Sequence, residues 1–410
     1  MLTAALLELA KGEKGTITAL RRAIHAEPEL GLETPRTLEK VKAALADLPL
    51  SWHEGPSCTG AVAILKGAKP GPSVLLRGDM DALPMNEHTA LDFASTIAGR
   101  MHACGHDAHT AMLAGAARIL ASQAGDLASQ AGDLAGEVRF MFQPGEEGHH
   151  GARFMLEDGL LGGTSEYPLP DAAFALHVWP NAPHGRIEGR NGPMLASADL
   201  LEITVKGSGG HASMPHDAID PVPVGAEIVL ALQTMITRRF NASEASVITI
   251  GKMDAGTTNN IIPDSVYLLG TMRNLSAERR EAVKSAVHQL AENIAKAHNC
   301  TAEVVITPGF PPTINDARAI DLGRQVALEL GGEEPWSDRP APTMGAEDFS
   351  YVLEKVPGAM FFLGVAAEGA DWKGCCGLHS SRMIVDESVM PKGAAFLAGC
   401  AAQFLDKGWK

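Results

Sequence analysis

The chain has 410 residues, 45% of them hydrophobic and 20% charged, which is enough apolar side chain for two packed domains and argues against a disordered chain. Its 34 basic residues against 49 acidic ones leave a formal charge of −15, which repels phosphate backbones and argues against a nucleic-acid partner. No stretch approaches the roughly 20 apolar residues of a membrane span, and six cysteines without a CxxC ladder argue against a disulfide scaffold.

The opening segment MLTAALLELAKGEKG reads as a helix, because its short apolar run lacks a basic lead and carries Glu8, and a cytoplasmic location is expected. Residues 73–77, 137–142 and 172–178 are short apolar strands, the first two ending in GDMDALP and QPGEEGHHGA. Between the first two lies a helix over 106–121, apolar at helical spacing and rich in Ala and Leu. Alternation of buried strands with helices predicts an α/β fold, a mostly parallel sheet with helices on both faces. Ligands of such sheets sit beyond the carboxyl ends of the strands. Asp79, Asp81, Glu146, Glu147 and His177 fall there.

The segment ASQAGDL occurs at 121–127 and again at 128–134, and reads as a duplicated, exposed extension of a connection. After residue 190 the rhythm changes: strand 199–206, helix 220–239, strands 246–252 and 264–272, helix 276–298 and strand 301–307. That βαββαβ order predicts an inserted ferredoxin-like α+β domain. The expected division is a metal-binding catalytic domain of 1–190 and 312–410, with the inserted domain spanning 191–311. Beyond 316 an Ala- and Leu-rich helical style is expected to run to the end.

Several short segments carry chemistry. In His102-Ala-Cys104-Gly-His106-Asp107-Ala-His109 a thiolate and imidazoles flank a glycine turn, so Cys104 and His106 can share an ion. The same residues also suit a helix start capped by Asp107. Asp79 and Asp81 are spaced to face one site from an extended strand end. Glu146 and Glu147, read as opening a helix, repel each other unless a cation lies nearby, and one of the two is then available as a base. His177 and His379 complete the set of possible ligands, although neither identifies a metal site alone. No GxSxG elbow points to a serine nucleophile.

Taken together, RAIHAEPELGLET (22–34), RGDMDALP (77–84), MHACGHDAHTAMLAGAA (101–117), FQPGEEG (142–148), LHVWP (176–180), GGHASMPH (209–216), AGTTNNIIPD (255–264), GAEDFS (345–350) and LHS (378–380) resemble the M20 metallopeptidase family. They are most similar to its aminoacylase-like branch, which contains hippurate hydrolase, auxin–amino acid conjugate hydrolases and N-acetyl-diaminopimelate deacetylase. The resemblance implies metal-dependent hydrolysis of the amide bond of N-acyl amino acids, releasing a carboxylic acid and a free amino acid. It implies two divalent ions per subunit (Zn, Mn or Co) held by Cys104, His106, Glu147, His177 and His379. It makes Glu146 the general base and Asp81 the carboxylate behind the ligands. His211, Asn260 and Arg273 match positions that hold the substrate carboxylate or its reacting carbonyl, Arg273 least closely. It further implies a homodimer through the inserted domain, with His211 reaching the partner's site.

The chain departs from the family pattern at His149 and His150, where small residues are usual, at Ser381 in place of a proline, and at Ala108. Dipeptide or carbamoyl–amino acid hydrolysis on the same site is the alternative reaction. A non-catalytic amino-acid-binding protein is the alternative of another class.

Overall fold

The computed structural model describes residues 2–127, 135–374 and 376–409. In chain order its main elements are α1 (Leu2–Gly12), α2 (Lys14–His25), α3 (Pro35–Ala44), β1 (Ser51–Glu54), β2 (Ala61–Lys66), β3 (Lys69–Asp79), α4 (His106–Leu127), β4 (Ala135–Gln143), α5 (Gly151–Glu157), β5 (Ala172–Trp179) and β6 (Ile187–Gly189). There follow β7 (Asp199–Lys206), α6 (Pro221–Arg239), β8 (Ser246–Ala255), β9 (Ser265–Asn274), α7 (Ala277–Ala297) and β10 (Thr301–Pro308). The chain then adds α8 (Ala317–Leu330), β11 (Trp336–Asp338), β12 (Gly358–Gly364) and α9 (Met390–Lys407). Contacts divide it into two units, one of Met1–Gly192, Ile314–Ala341 and Asp348–Lys410, the other of Pro193–Thr313 with Pro342–Glu347.

Among the described residues of the first unit, eight strands form one sheet in the order β1-β2-β4-β3-β5-β12-β6-β11. Its centre, β4-β3-β5-β12, is parallel throughout. β5 and β12 are buried along nearly their whole length, and β3 and β4 from Ser73 and Val138 onward, as parallel strands covered on both faces must be. Val74, Leu76, Phe140, Phe174, Leu176 and Leu363 share one core with residues of α2, α4, α8 and α9. Both α4 and α9 are buried on almost every side, which explains their Ala-rich sequences: small side chains let a helix pack close on several neighbours at once.

The C-terminal segment is more than helical, contrary to the sequence expectation. Gly358–Gly364 is a central strand that pairs in parallel with β5, and its apolar run GAMFFLG does not announce strand or helix by periodicity alone. The first ASQAGDL copy prolongs α4 to Leu127, and the second lies outside the described residues.

In the second unit β8-β9-β7-β10 form an antiparallel four-stranded sheet, the ferredoxin-like arrangement. β7 alternates, burying Leu201, Ile203 and Val205 with residues of α6 and α7 while Leu200 stays exposed. Asp220 and Ser276 cap those helices, each cap contributing about 1 kcal/mol. Pro342–Glu347 also belongs to this unit, where 312–410 was expected in the other. A parallel bridge of Thr343 to Leu195 accounts for it.

Candidate metal centre

The centre is built at the carboxyl ends of β3, β4 and β5. Arg77 pairs with Ala175 across β3 and β5, so two residues further on Asp79 and His177 stand level. Glu146 and Glu147 follow β4 in a turn, not at a helix start as the sequence suggested, since α5 begins only at Gly151. Gly105 makes the turn between Cys104 and α4. Its φ is +86°, and a β-carbon there would stand 2.4 Å from Val178 Cγ2, so only glycine lets this turn press on β5.

Potential ligand atoms gather in overlapping groups, each within 4.8 Å: Cys104, His106 and His177; His106, Glu146 and Glu147; Cys104, Glu147 and His379. Cys104 Sγ lies 3.5 Å from His177 Nε2. His106 Nε2 stands 3.9 Å from both Glu146 Oε2 and Glu147 Oε1, and His379 Nε2 is 3.2 Å from Glu147 Oε1. Glu147 thus belongs to two groups at once. His379 holds φ at +62°, a left-handed conformation costing about 1 kcal/mol or more in a residue with a side chain.

The buried polar atoms fit a cation. Both ring nitrogens of His106 are buried without a hydrogen-bond partner. Orphaned groups of this kind cost about 1–3 kcal/mol each unless something binds them. His177 Nδ1–H donates to Val178 O at 2.7 Å, which leaves the Nε2 lone pair aimed at the Cys104 side. Burial holds His177 well below the ordinary imidazole range, hence neutral as a ligand must be. His106 is buried too, but Asp79 and the Cys104 sulfur beside it raise its pKa well above normal. His379 is raised to about 10 by hydrogen bonds to Cys104 and Glu147.

The two aspartates divide the support. Asp81 accepts the backbone N–H of Glu146 on Oδ1 and that of Glu147 on Oδ2, each at 3.0 Å, and its Oδ1 lies 3.5 Å from His106 Nδ1. One carboxylate thus fixes the glutamate turn and faces the back of the His106 ring. Asn at this position has one acceptor oxygen, so its NH₂ would confront one of the two N–H donors. Asp81→Asn is expected to weaken metal affinity by about 10- to 100-fold, checked by competition with a chromophoric chelator; unchanged affinity would count against the brace.

Asp79 was grouped with Asp81 by spacing alone, and its role is different. It pairs with Arg77 and accepts from His109 Nδ1–H at 2.6 Å, while His109 Nε2 accepts the N–H of Val178 at 2.8 Å. Both nitrogens of His109 are used, so it ties β3 to β5 rather than offering a ligand atom. Arg77 also reaches Asp348 at 3.2 Å, and Gln143 donates to the same carboxylate at 2.7 Å. Burial raises Asp348 to about 6. The motif was read for Asp79 and Asp81 and gave no role to Arg77, whose partner Asp348 is 271 residues away.

The two histidines that depart from the family pattern have local partners. The His149 ring lies against Gly31, and His150 Nδ1 is 2.8 Å from the Tyr351 hydroxyl.

In the second unit, His211 and Asn260 are neighbours on a short arm. Gly210–His211 pairs with Ile261–Ile262, and Ala212 N–H donates to Asn260 O at 3.2 Å. His211 Nδ1 accepts from Ser213 N–H, and its ring is exposed. The arm joins the sheet at the Ser265 end of β9 through a Gly207 N–H bond to Asp264 O. Arg273 sits near the other end, eight residues away, about 26 Å of strand. The structure therefore brings two of the three expected substrate residues together and leaves the third apart.

Known proteins resemble this chain along nearly its whole length. IAA-amino acid hydrolase ILR1-like 2 of Arabidopsis thaliana is 36% identical, over 98% of this chain and 88% of the relative. N-acetylcysteine deacetylase of Bacillus subtilis (strain 168) is 35% identical, over 94% of this chain and 96% of its own. The crystal structure of the Bacillus subtilis YXEP protein, described as a dinuclear metal binding peptidase from the M20 family, superimposes with a TM-score of 0.82 at 33% identity, covering 97% of this chain and 99% of that one. The profile of peptidase family M20/M25/M40 matches residues 75–403, and the chain belongs to that family.

Proposed function

We propose that this enzyme hydrolyses the amide bond of N-acyl amino acids, releasing a carboxylic acid and a free amino acid. The observation that carries the reading is the meeting of Cys104, His106, His177, Glu147 and His379 in overlapping ligand groups, with Glu146 in the group of His106 and Glu147. Two divalent ions held there would polarise the amide carbonyl and acidify water; the donor set of one thiol, three imidazoles and a carboxylate suits Zn or Co, and Mn from the family.

The chain's own residues do the rest. Glu147 bridges the ligand groups, and this sharing supports its assignment as ligand. Glu146, beside only the His106 group of these, takes the proton from the attacking water and passes it to the leaving amine. Asp81 keeps both glutamates in place. No covalent nucleophile is required, and Cys104 serves as a ligand.

Asn260 and Arg273 hold the substrate carboxylate, and His211 faces the reacting carbonyl. Charge-assisted bonds to a carboxylate contribute about 1.5–3 kcal/mol each. Esterifying the α-carboxylate of an N-acetyl or N-benzoyl amino acid is therefore expected to lower kcat/KM about ten- to a hundredfold. A panel including dipeptides and N-carbamoyl amino acids tests the substrate class; faster turnover of either would move the assignment to that reaction.

The separation of Arg273 from the His211 arm supports a homodimer in which the arm serves a neighbouring copy's site. The edge strand β8 and the 71% exposed Leu230 of α6 offer the second unit a surface for it. Mixing His211→Ala with Glu146→Gln chains should restore part of the activity through hybrid dimers, and no recovery after confirmed exchange would refute sharing. Among the described residues no helix is long and apolar enough to cross a membrane. The described cysteines are free, which fits a reducing cytoplasm.

A further inference from the structure

A charged network beneath the metal centre joins its two most distant ligand segments. His25, the last residue of α2, is 2% exposed, with Nδ1 at 2.8 Å from Asp107 Oδ2 and Nε2 at 3.1 Å from Glu87 Oε1. Both ring nitrogens face carboxylate oxygens, so both must donate, and the ring is an imidazolium between two anions. Asp107 directly follows His106 at the start of α4 and also accepts from Arg21 Nε at 3.0 Å. Glu87 lies on the loop after β3 and further accepts from the Thr89 hydroxyl and from Ser95 N–H. The next residue, His88, donates its N–H to Ser381 O at 2.7 Å, two residues beyond His379. Arg21 completes the circuit, reaching Val385 O at 3.3 Å and Glu387 at 3.1 Å on the segment after His379.

We propose that His25 is a positioning residue for the metal centre, its ring joining Asp107 at the His106 helix start to Glu87 on the loop that holds the His379 turn. The spacing of His106 from His379 then depends on an ion pair that touches neither ligand. His379 draws most on such an anchor, because its side chain is 55% exposed, its backbone is held in the left-handed region, and its N–H bond to Ala103 O at 2.8 Å fixes the backbone but not the ring. Loss of the bridge should loosen the group of Cys104, Glu147 and His379 and spare the buried group of Cys104, His106 and His177. The proposal rests on the metal-centre reading given above.

The test uses the full-length enzyme, stripped of metal and titrated with Zn²⁺ alone, in wild type, His25→Gln and Glu87→Gln. Glu87→Gln removes the charge and keeps one of the two acceptor oxygens on the loop, and it carries the test where His25→Gln fails to fold. Wild type should take up two ions per chain. The variants should keep the tighter ion, bind the weaker one about 10- to 100-fold less well, and recover kcat in excess Zn²⁺ with KM unchanged. Variants with wild-type stoichiometry and affinity, even at a lower Tm, would overturn the role of His25, since a merely structural bridge changes Tm alone. A wild-type chain that takes up no metal would instead fail the reading of the site.

Discussion

Glu146→Gln is expected to leave metal content near two ions per chain while kcat falls by about 10²–10⁴-fold. A positioned base contributes a factor of that size, and the amide keeps the shape and polarity of the carboxylate but cannot take a proton. Glu146 stands 3.9 Å from His106 Nε2 and is 6% exposed, so its loss as a base is not replaced by bulk water reaching the same point. Glu147→Gln should behave in the opposite way. Its Oε1 is shared between the His106 and His379 groups, so neutralising it weakens both and metal is lost. Metal analysis beside single-turnover rates separates the two. Metal loss in Glu146→Gln with retention in Glu147→Gln would reverse the roles, and activity in both would remove the glutamate base from the mechanism.

Stripping the metal is expected to abolish amide hydrolysis, and adding a divalent ion should restore it. The physical reason is visible in the buried groups: His106 has two ring nitrogens without hydrogen-bond partners beside Glu147 and Cys104. The pH dependence follows from the proton balance. In the metal-free centre His379 is raised to about 10 and His106 well above its normal value, and burial raises the Cys104 thiol. Each must lose its proton to bind an ion, so uptake releases protons and affinity rises with pH. Chelation should accordingly be faster at pH 6 than at pH 8, measured as the half-life of activity in excess chelator. Full turnover in metal-free enzyme would sink the mechanism, and a pH-independent half-life would sink the proton balance.

Part of the candidate centre was legible in the sequence because Glu146, Glu147 and His177 lie at or just past strand ends, whereas Cys104 and His106 stand at a helix start and His379 in a late turn. Apolar runs at 73–77, 137–142 and 172–178 mark buried parallel strands, and polar residues just past such runs converge in space. The βαββαβ order of the second unit was equally legible, since its helices have an apolar face and β7 alternates. The strand at Gly358–Gly364 was not. A fully buried strand has no polar face, so it loses the alternation that would distinguish it from helix.

The sequence by itself determined which residues have the chemistry: a thiol, imidazoles and paired carboxylates on short glycine-rich turns, in the order of a known family. Only the tertiary structure decided how they divide the labour. Asp79 and Asp81 are two positions apart in one strand-like segment, yet Asp79 ends on Arg77 and His109 while Asp81 ends on the Glu146 and Glu147 amides. His109 stands in the same motif as His106 but was given no ligand role, and both its nitrogens are taken by Asp79 and Val178. His25 lies in the family-like segment RAIHAEPELGLET but received no role from it, because its meaning comes from Asp107 and Glu87, 82 and 62 residues away. Residue type and local spacing fix what a side chain is able to donate or accept. Which partner occupies each lone pair and proton depends on packing between segments distant in the chain, and that packing separates a ligand from a brace.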